Sequence, residues 1–506
     1  MRDQKRVGTL LSYVQWMLNV VVGVVYTPIM LNALGASEYG VYSVATAVIS
    51  FLTMLDLGFG QTLVRFYVKY KAESRQEKAD RCAGTFLLMY LALGLVALAI
   101  GLGLANSFLP LLFGQKFTLQ ELETLRVVLS ILVVNLACSF PLSVFSSLIT
   151  AHERFAMAKL ALIANTVFTY GGILIVLLQG YKSVAMATVT TVVSIAIKLF
   201  LAWYCVGKMK VRITFGKPDR TMLKSIFAFS FFIFLNILID QLYASTDKFL
   251  LGALCGTTAV TVYTVGVQFN GYFQQLSTAV SGVFLPHVTK MYAEGAGGRE
   301  FSPLFLRIGR LQFVLLSFVL AGFMAFGQQF ILLLAGQESA RAFWIALIIM
   351  VPGIVPLSQN VGMTITQAMN RHKFRSVSYL VLAVLNVVIS IPLCMKWEGI
   401  GAAIGTTLAL FAGQYAMMNW YYSKKIGLDI AGYWKMAGSI TLKMLPLAIP
   451  AVLINFLLPG GGWLLLFVKI GLFTLVYLPY AWKFLLNDYE KGMALSILKR
   501  FKRKDA

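Results

Sequence analysis

Charged side chains are scarce in this sequence of 506 residues, since Asp, Glu, Lys and Arg together make up only 12% of it. Soluble domains contain about 25% charged residues, which keep their surfaces hydrated. Apolar residues make up 59% of the chain, and the mean hydropathy is +0.78. This composition excludes a soluble enzyme, a disordered chain and a secreted disulfide scaffold. It predicts an integral membrane protein.

Motifs for metal and nucleotide chemistry are also missing. The five cysteines occur singly, without a CxxC pair, and the three histidines are far apart in the sequence. We therefore predict no metal site and no cofactor. No GxxxxGK[ST] phosphate loop is present, which argues against ATP hydrolysis. Only Cys255 and Cys394 are expected to face the outside, and buried thiols are favoured over a bridge between them.

Long apolar segments follow one another along the chain and are expected to cross the membrane. A membrane-spanning helix needs about 20 apolar residues, and the strict alternation of a transmembrane barrel is missing here. The prediction is an all-α integral membrane protein with about 14 transmembrane helices. The predicted spans are 8–31, 40–66, 82–105, 122–149, 154–179, 183–206, 224–253, 258–286, 304–334, 341–368, 374–395, 399–422, 434–458 and 461–483.

Basic residues are concentrated in every second loop. With the N-terminus inside, the cytoplasmic segments contain 35 of the 43 Lys and Arg residues, and the outer loops contain five. This bias follows the positive-inside rule and predicts that both termini are cytoplasmic. The formal charge of +23 therefore reflects topology, and no nucleic-acid partner is predicted. The short outer loops leave no room for a separate catalytic domain, so the chain is not expected to be an enzyme.

The two halves of the chain show a weak internal repeat. Gly35 and the Tyr-Ser-Val-Ala sequence that begins at Tyr42 match Gly256 and the Tyr-Thr-Val-Gly sequence that begins at Tyr263, both at an offset of 221 residues. Pro-Leu-Ser and Ile-Thr also recur in the fourth and tenth spans. Because each copy contains six spans, the copies have the same orientation, as in transporters whose two bundles move about a site near the midplane.

The repeat also predicts the domain organisation. An N-terminal six-helix lobe at 1–206 and a C-terminal six-helix lobe at 224–422 are expected, joined by a cytoplasmic linker at 207–223. Residues 423–506 are expected to add two helices and a basic cytoplasmic tail.

Distinctive motifs occur where each predicted lobe begins. They are Leu34-Gly-Ala-Ser-Glu-Tyr-Gly-Val-Tyr42 with Leu55-Asp-Leu-Gly-Phe-Gly-Gln-Thr-Leu-Val-Arg65 in the first lobe, and Ser245-Thr-Asp-Lys-Phe-Leu-Leu-Gly252 with Val262-Tyr-Thr-Val-Gly266 in the second. These motifs resemble the polysaccharide (O-antigen-type) flippases of the multidrug/oligosaccharidyl-lipid/polysaccharide exporter superfamily. The resemblance covers spans 1 to 12 in order, and the last two spans match only in number.

The resemblance implies movement of undecaprenyl-diphosphate-linked sugars outward across a bacterial inner membrane, for cell-surface polysaccharide synthesis. It also implies a lipid-linked oligosaccharide as substrate, contact with membrane lipid, antiport with H⁺ or Na⁺, and polysaccharide-assembly membrane proteins as partners. Two alternatives stay open. They are a cation-coupled multidrug exporter of the same superfamily and, less favoured, a membrane-embedded sugar transferase or polymerase.

Polar residues inside the spans form stripes at helical spacing. Burying an ionisable group in a span costs about 2.5–3.5 kcal/mol, so such groups are interpreted as functional by default. Stripes that face one another would line a hydrophilic cleft, and hydrogen bonding between helices is the alternative. The predicted substrate-binding members are Gln15, Asn19 and Tyr26 in span 1, Asn236 and Tyr243 in span 7, and Asn270 and Gln274 in span 8.

Charged residues inside or near the spans are assigned to two roles. A diphosphate needs cations to cross about 30 Å of hydrocarbon, and a carboxylate that is neutralised in one state biases a conformational equilibrium. Alternatives are a structural ion pair for the carboxylate in span 2 and snorkelling for the lysine in span 6. The predicted phosphate partners are Lys248, Arg65 and Lys198, and the predicted ion-coupling residues are Asp240, Asp247 and Asp56.

Overall fold

The computed structural model describes residues 2–216, 220–282, 284–369, 371, 373–492 and 495. These residues form helices and connecting turns, with no β-strand among them. Helices suit such apolar segments because each helix satisfies its backbone hydrogen bonds internally. The helices up to the end of the seventh predicted span are α1 (Arg2–Leu52), α2 (Phe59–Ala72), α3 (Gln76–Gly103), α4 (Leu109–Phe113), α5 (Leu119–Ala151), α6 (Phe155–Leu178), α7 (Ser183–Trp203) and α8 (Arg220–Cys255).

The later part of the chain is also helical. Its C-terminal helices form a pair that packs on α11. In order, the helices are α9 (Thr257–Gly282), α10 (Leu285–Ala293), α11 (Ser302–Ala335), α12 (Ala342–Ser358), α13 (Asn360–Ala368), α14 (Lys373–Leu410), α15 (Asn419–Tyr421), α16 (Ile430–Met444), α17 (Ala448–Leu457) and α18 (Trp463–Tyr480).

Eleven helical stretches among the described residues are long and apolar enough to cross a membrane. Two of them, Met17–Ala72 and Val377–Ile426, are 56 and 50 residues long and each contain two predicted spans. The eighth predicted span forms α9, which is a helix but is not among the eleven. Large apolar side chains are exposed, and Phe456 and Leu464 are each 80% exposed. The prediction of an all-α integral membrane protein is confirmed.

Glycines at equivalent positions of the repeat break the helices in the same way. Gly35 lies within α1 at φ +77°, and Gly256 separates α8 from α9 at φ +94°. Residues with a β-carbon rarely adopt this conformation. The chain therefore turns at the same point of each repeat, which gives the recurrence of glycine in the sequence a structural reason.

Packing divides the chain into two compact units. The first contains Met1–Thr261 and Cys394–Gly399, and the second contains Val262–Leu393 and Ile400–Ala506. In the first unit α1 packs against α5, α6 and α8, and in the second α11 packs against α12, α16 and α18. The predicted lobes follow the repeat, whereas these units follow packing, so the lobe boundaries stay a prediction.

Lys469 of α18 is one residue whose position differs from expectation. Its place in the last span predicts a side chain that reaches the outer surface, but it is only 4% exposed. Its ammonium group donates to the Oε1 atom of Gln329 at 2.9 Å and to the Oδ1 atom of Asn455 at 3.2 Å. The outward prediction is wrong because amide oxygens on α11 and α17 satisfy the charge inside the second unit.

Candidate functional site

A carboxylate is held at the break between α1 and α2. Leu57 and Gly58, which follow Asp56, both have positive φ, so the chain turns directly after this residue. The Tyr90 hydroxyl of α3 donates to the Oδ1 atom of Asp56, and the Gly58 N–H group also hydrogen-bonds the carboxylate. Lys198 of α7 attracts the same carboxylate through space. One predicted coupling residue and one predicted phosphate partner therefore share a site.

Arg65 lies at the contact between α2 and α8. Its guanidinium carbon is 4.0 Å from the centre of the Phe229 ring. One turn earlier on α2, the Thr62 hydroxyl lies 2.8 Å from the Ser230 hydroxyl in a buried hydrogen bond. Arg65 itself is exposed. The cation therefore remains accessible at the edge of a helix pair that joins the second and seventh predicted spans.

The polar residues predicted on span 7 lie on α8, and the structure describes the side chains of only some of them. Asp247 is 3% exposed and lies close enough to Cys394 to act on it electrostatically. Lys248 and Tyr243 are half-buried. The side chains of Asn236 and Asp240 lie outside the described residues, so their assigned roles stay predictions. The burial of Asp247 indicates that this side of α8 packs against protein.

The polar residues predicted on span 1 lie on α1, and two of them contact α6. The Lys159 ammonium donates to the Oε1 atom of Gln15 at 3.4 Å, and the Tyr26 ring meets the Tyr170 ring edge-on at 4.8 Å between centres. Asn19 is exposed. Lys159 adds a cation that the sequence does not single out, because it lies near the start of α6, where basic residues are common.

The substrate-binding residues predicted on span 8 lie on α9 and belong to the second unit. Asn270 is buried near Gly353, and Gln274 is exposed. These two positions are separated by one helical turn but differ in exposure. Among the substrate-binding candidates on α9, Gln274 is therefore the one accessible to a ligand.

Repeat-equivalent residues touch each other where α1 meets α9, and we call Ala36, Gly40, Thr257 and Thr261 the repeat junction. At the offset of 221, Ala36 corresponds to Thr257 and Gly40 to Thr261. The Thr261 hydroxyl donates to the Ala36 carbonyl oxygen at 2.6 Å. A β-carbon on Gly40 would lie 2.2 Å from the Thr257 carbonyl oxygen. The two contacts exchange under the repeat, so the junction has an approximate two-fold symmetry.

Glu121 accepts hydrogen bonds at one edge of the repeat junction. Its Oε1 atom accepts hydrogen bonds from the Ser37 hydroxyl at 2.5 Å and from the Thr257 hydroxyl at 2.8 Å. Its Oε2 atom accepts from the backbone N–H of Thr118 at 2.7 Å, which caps α5. One carboxylate thus joins α1, α5 and α9 within the first unit. Thr118 and Glu121 form a capping box at the start of α5, and nothing in the sequence indicates the partners from α1 and α9.

The arrangement can do two kinds of chemistry. The carboxylate of Asp56 can accept a proton or neutralise a small cation, and cations at Arg65, Lys159 and Lys198 can pair with phosphate oxygens. The described residues contain no group of three or more His, Cys, Asp or Glu that could hold a metal ion. Tyr90, which orients Asp56, was missed by the sequence analysis because a tyrosine in an apolar helix carries no distinctive signal.

The family comparison matches more than half of the chain. Residues 7–292 match the model of a family described as "Polysaccharide biosynthesis protein". No curated protein matches the chain by sequence.

Solved structures match over most of their length. A lipid II flippase, MurJ, in an inward closed conformation is 14% identical with a TM-score of 0.73, covering 94% of this chain and 97% of that one. An inward-facing multidrug resistance MATE family transporter of the MOP superfamily is 18% identical with a TM-score of 0.66, covering 81% and 96%. A MOP superfamily transporter from Pyrococcus furiosus is 18% identical with a TM-score of 0.53, covering 84% and 95%. The fold is that of these transporters.

Proposed function

Because the chain belongs to the polysaccharide biosynthesis protein family, we propose that it moves a lipid-linked oligosaccharide from the cytoplasmic to the outer leaflet of a bacterial inner membrane. The fold is that of a transporter and not of an enzyme. The proposed carrier is undecaprenyl diphosphate. Its diphosphate needs a charged path through the protein, whereas its isoprenoid tail can remain in lipid.

The observation that carries this proposal is the charged set inside the first unit. A diphosphate cannot cross the hydrocarbon without compensating cations, and a charged residue in a span is costly unless it has a function or a partner. The first unit supplies such cations on four of its helices. They are Arg65, Lys159, Lys198 and Lys248.

Coupling to H⁺ or Na⁺ is proposed to act through Asp56. While Asp56 is ionised, it attracts Lys198 and holds a hydrogen bond from Tyr90. When a proton or Na⁺ neutralises Asp56, that attraction is lost, and Lys198 becomes available to a phosphate oxygen. The same cation thus serves the carboxylate in one state and the substrate in the other, which links ion binding to substrate binding.

Alternating access is proposed to involve the repeat junction. A transporter with two similar halves can close one end of its path by contact between equivalent elements. The hydrogen bond from Thr261 to Ala36 and the close approach of Gly40 to Thr257 are contacts of this type. The positive-inside pattern puts this junction at the outer side.

The test is transport in proteoliposomes that contain the purified chain. A fluorescent undecaprenyl-diphosphate sugar is supplied in one leaflet, and its appearance in the other is followed with and without a proton or sodium gradient. Stimulation by one gradient supports the flippase and identifies the ion. Efflux of a cationic dye without movement of the lipid would instead show the multidrug exporter. Movement of neither probe would contradict both assignments.

A further inference from the structure

Two cysteines that are far apart in the sequence meet at the end of α8. Cys255 is the last residue of this helix, and its thiol donates to the carbonyl oxygen of Cys394 at 3.4 Å. Cys394 is fully buried, and Cys255 is half-buried. The two thiols also interact electrostatically. A disulfide needs α-carbons within about 4.4–6.8 Å, and a thiol in contact with the other residue's backbone is consistent with that range.

Cys394 begins a short segment with unusual packing, which we call the return loop (Cys394–Gly399). It packs with the first unit, although the residues on both sides of it pack with the second. Glu398 within it has φ 48° and ψ −129°, a conformation that a residue with a β-carbon adopts only when its surroundings hold it there. Cys255, at the end of α8, contacts the first residue of this loop.

The proposed topology places this pair on the outer side of the membrane. Lys396, the only basic residue of the return loop, is one of the five Lys and Arg residues in the outer loops. Disulfides form and persist in extracytoplasmic compartments but not in the cytosol. Cys82 and Cys205 provide a contrast, since both lie near Tyr67 at the end of the first unit that is predicted to be cytoplasmic.

We propose that Cys255 and Cys394 are a disulfide-forming pair whose bond fastens the return loop to the end of α8. The oxidant is an external disulfide. The Cys255 thiolate attacks one sulfur of it and releases one thiol. The Cys394 thiolate then attacks the Cys255 sulfur of the mixed disulfide and releases the second thiol. Two protein thiols and one external disulfide thus become one protein disulfide and two external thiols.

The reaction has a defined pH dependence. Burial raises the pKa of the Cys255 thiol. Since the thiolate is the attacking species, the rate of exchange should rise as the pH increases from 7 to 9. The bond would close a loop of 139 residues, and a disulfide that closes a long loop restricts the unfolded chain most.

The test uses outer-side-accessible membrane vesicles that contain the full chain, treated with oxidised glutathione at pH 8. Free thiols are then blocked under denaturing conditions, and peptides are analysed by mass spectrometry before and after reduction. A linked Cys255–Cys394 peptide is expected in the wild type and in Cys138→Ser. It should be lost in Cys255→Ser and in Cys394→Ser.

A second readout covers variants that fold poorly. After blocking, reduction and labelling with a large maleimide, the wild type should gain two labels, and Cys255→Ser should gain none at Cys394. Glutathione attached to Cys255 with no linked peptide would overturn the proposal, as would two thiols that stay unmodified. A link between Cys82 and Cys205 in place of the expected one would also overturn it. The result does not depend on which substrate the chain transports.

Discussion

Each unit contains a polar cluster between its helices, and the two clusters differ in charge. The first contains carboxylates and ammonium groups, with Asp56 and Lys198 sharing one site. The second contains a neutral network of amides and hydroxyls, apart from its ion pair between Arg310 and Glu490 at 3.0 Å. There Tyr379 donates to Gln414 at 2.6 Å, and Gln414 donates to Gln359 at 3.2 Å. A neutral network cannot change its charge when an ion binds. The comparison indicates that a repeated fold does not require a repeated chemistry.

Lys469 is a buried charge of a different kind in the second unit. It is buried and charged, yet the two oxygens to which it donates belong to amides and not to a carboxylate. The amides stay neutral, so protonation of other groups does not change the charge of these partners. The ammonium group therefore serves as a fixed link between α11, α17 and α18, whereas Lys198 has a partner whose charge can change.

The largest expected effect comes from removing the charge of Asp56. Asp56→Asn should reduce gradient-driven transport by about tenfold or more, since loss of about 1.4 kcal/mol of coupling changes an equilibrium tenfold. Tyr90→Phe keeps the carboxylate and removes one hydrogen bond, so it should reduce transport less. Transport and membrane insertion are measured together in proteoliposomes. Full gradient stimulation in Asp56→Asn would remove Asp56 from the coupling mechanism.

The next effect concerns the phosphate partners. Lys248→Ala should weaken binding of the diphosphate-linked lipid by about ten- to a hundredfold, because a hydrogen bond to a charged group contributes about 1.5–3 kcal/mol. Lys248→Arg keeps the charge and should retain most of the affinity. Lipid binding by the detergent-solubilised chain distinguishes the two. An equal loss in both variants would indicate that Lys248 acts through packing.

Adding a single methyl group at the repeat junction should reduce both transport and stability. Gly40→Ala places a β-carbon 2.2 Å from the Thr257 carbonyl oxygen, and such overpacking costs about 1–3 kcal/mol. Transport should fall, and the melting temperature should decrease. Gly171→Ala is the matched control, because a β-carbon there meets nothing within 4 Å. It should preserve transport. Equal behaviour of the two variants would show that the junction tolerates separation.

The smallest effect on ion coupling is expected in the second unit. Gln359→Leu removes the acceptor for Gln414 and should lower the free energy of unfolding by about 1 kcal/mol. The ratio of transport with a gradient to transport without one should stay unchanged. A large change in that ratio would contradict the contrast between the charged site of the first unit and the neutral network of the second.

Hydropathy was sufficient to predict most of the architecture, because crossing a membrane imposes a length and a composition on each helix. The position of Asp56 was also evident, since a carboxylate in an apolar run stands out. Its partners were not, because Tyr90 lies 34 residues away and only folding brings it near. Lys469 shows the same limit. Its burial depends on two amides that nothing in its own span reveals.

The repeat junction also records how the two halves have diverged from each other. Position 40 is a glycine, while the equivalent position 261 carries a threonine whose hydroxyl donates to Ala36 in the other copy of the repeat. The glycine of the first half leaves room for the backbone of the second, and the threonine of the second half donates a hydrogen bond to the first. A chimera made of two first halves would lose the threonine donor, and one made of two second halves would set threonine against backbone.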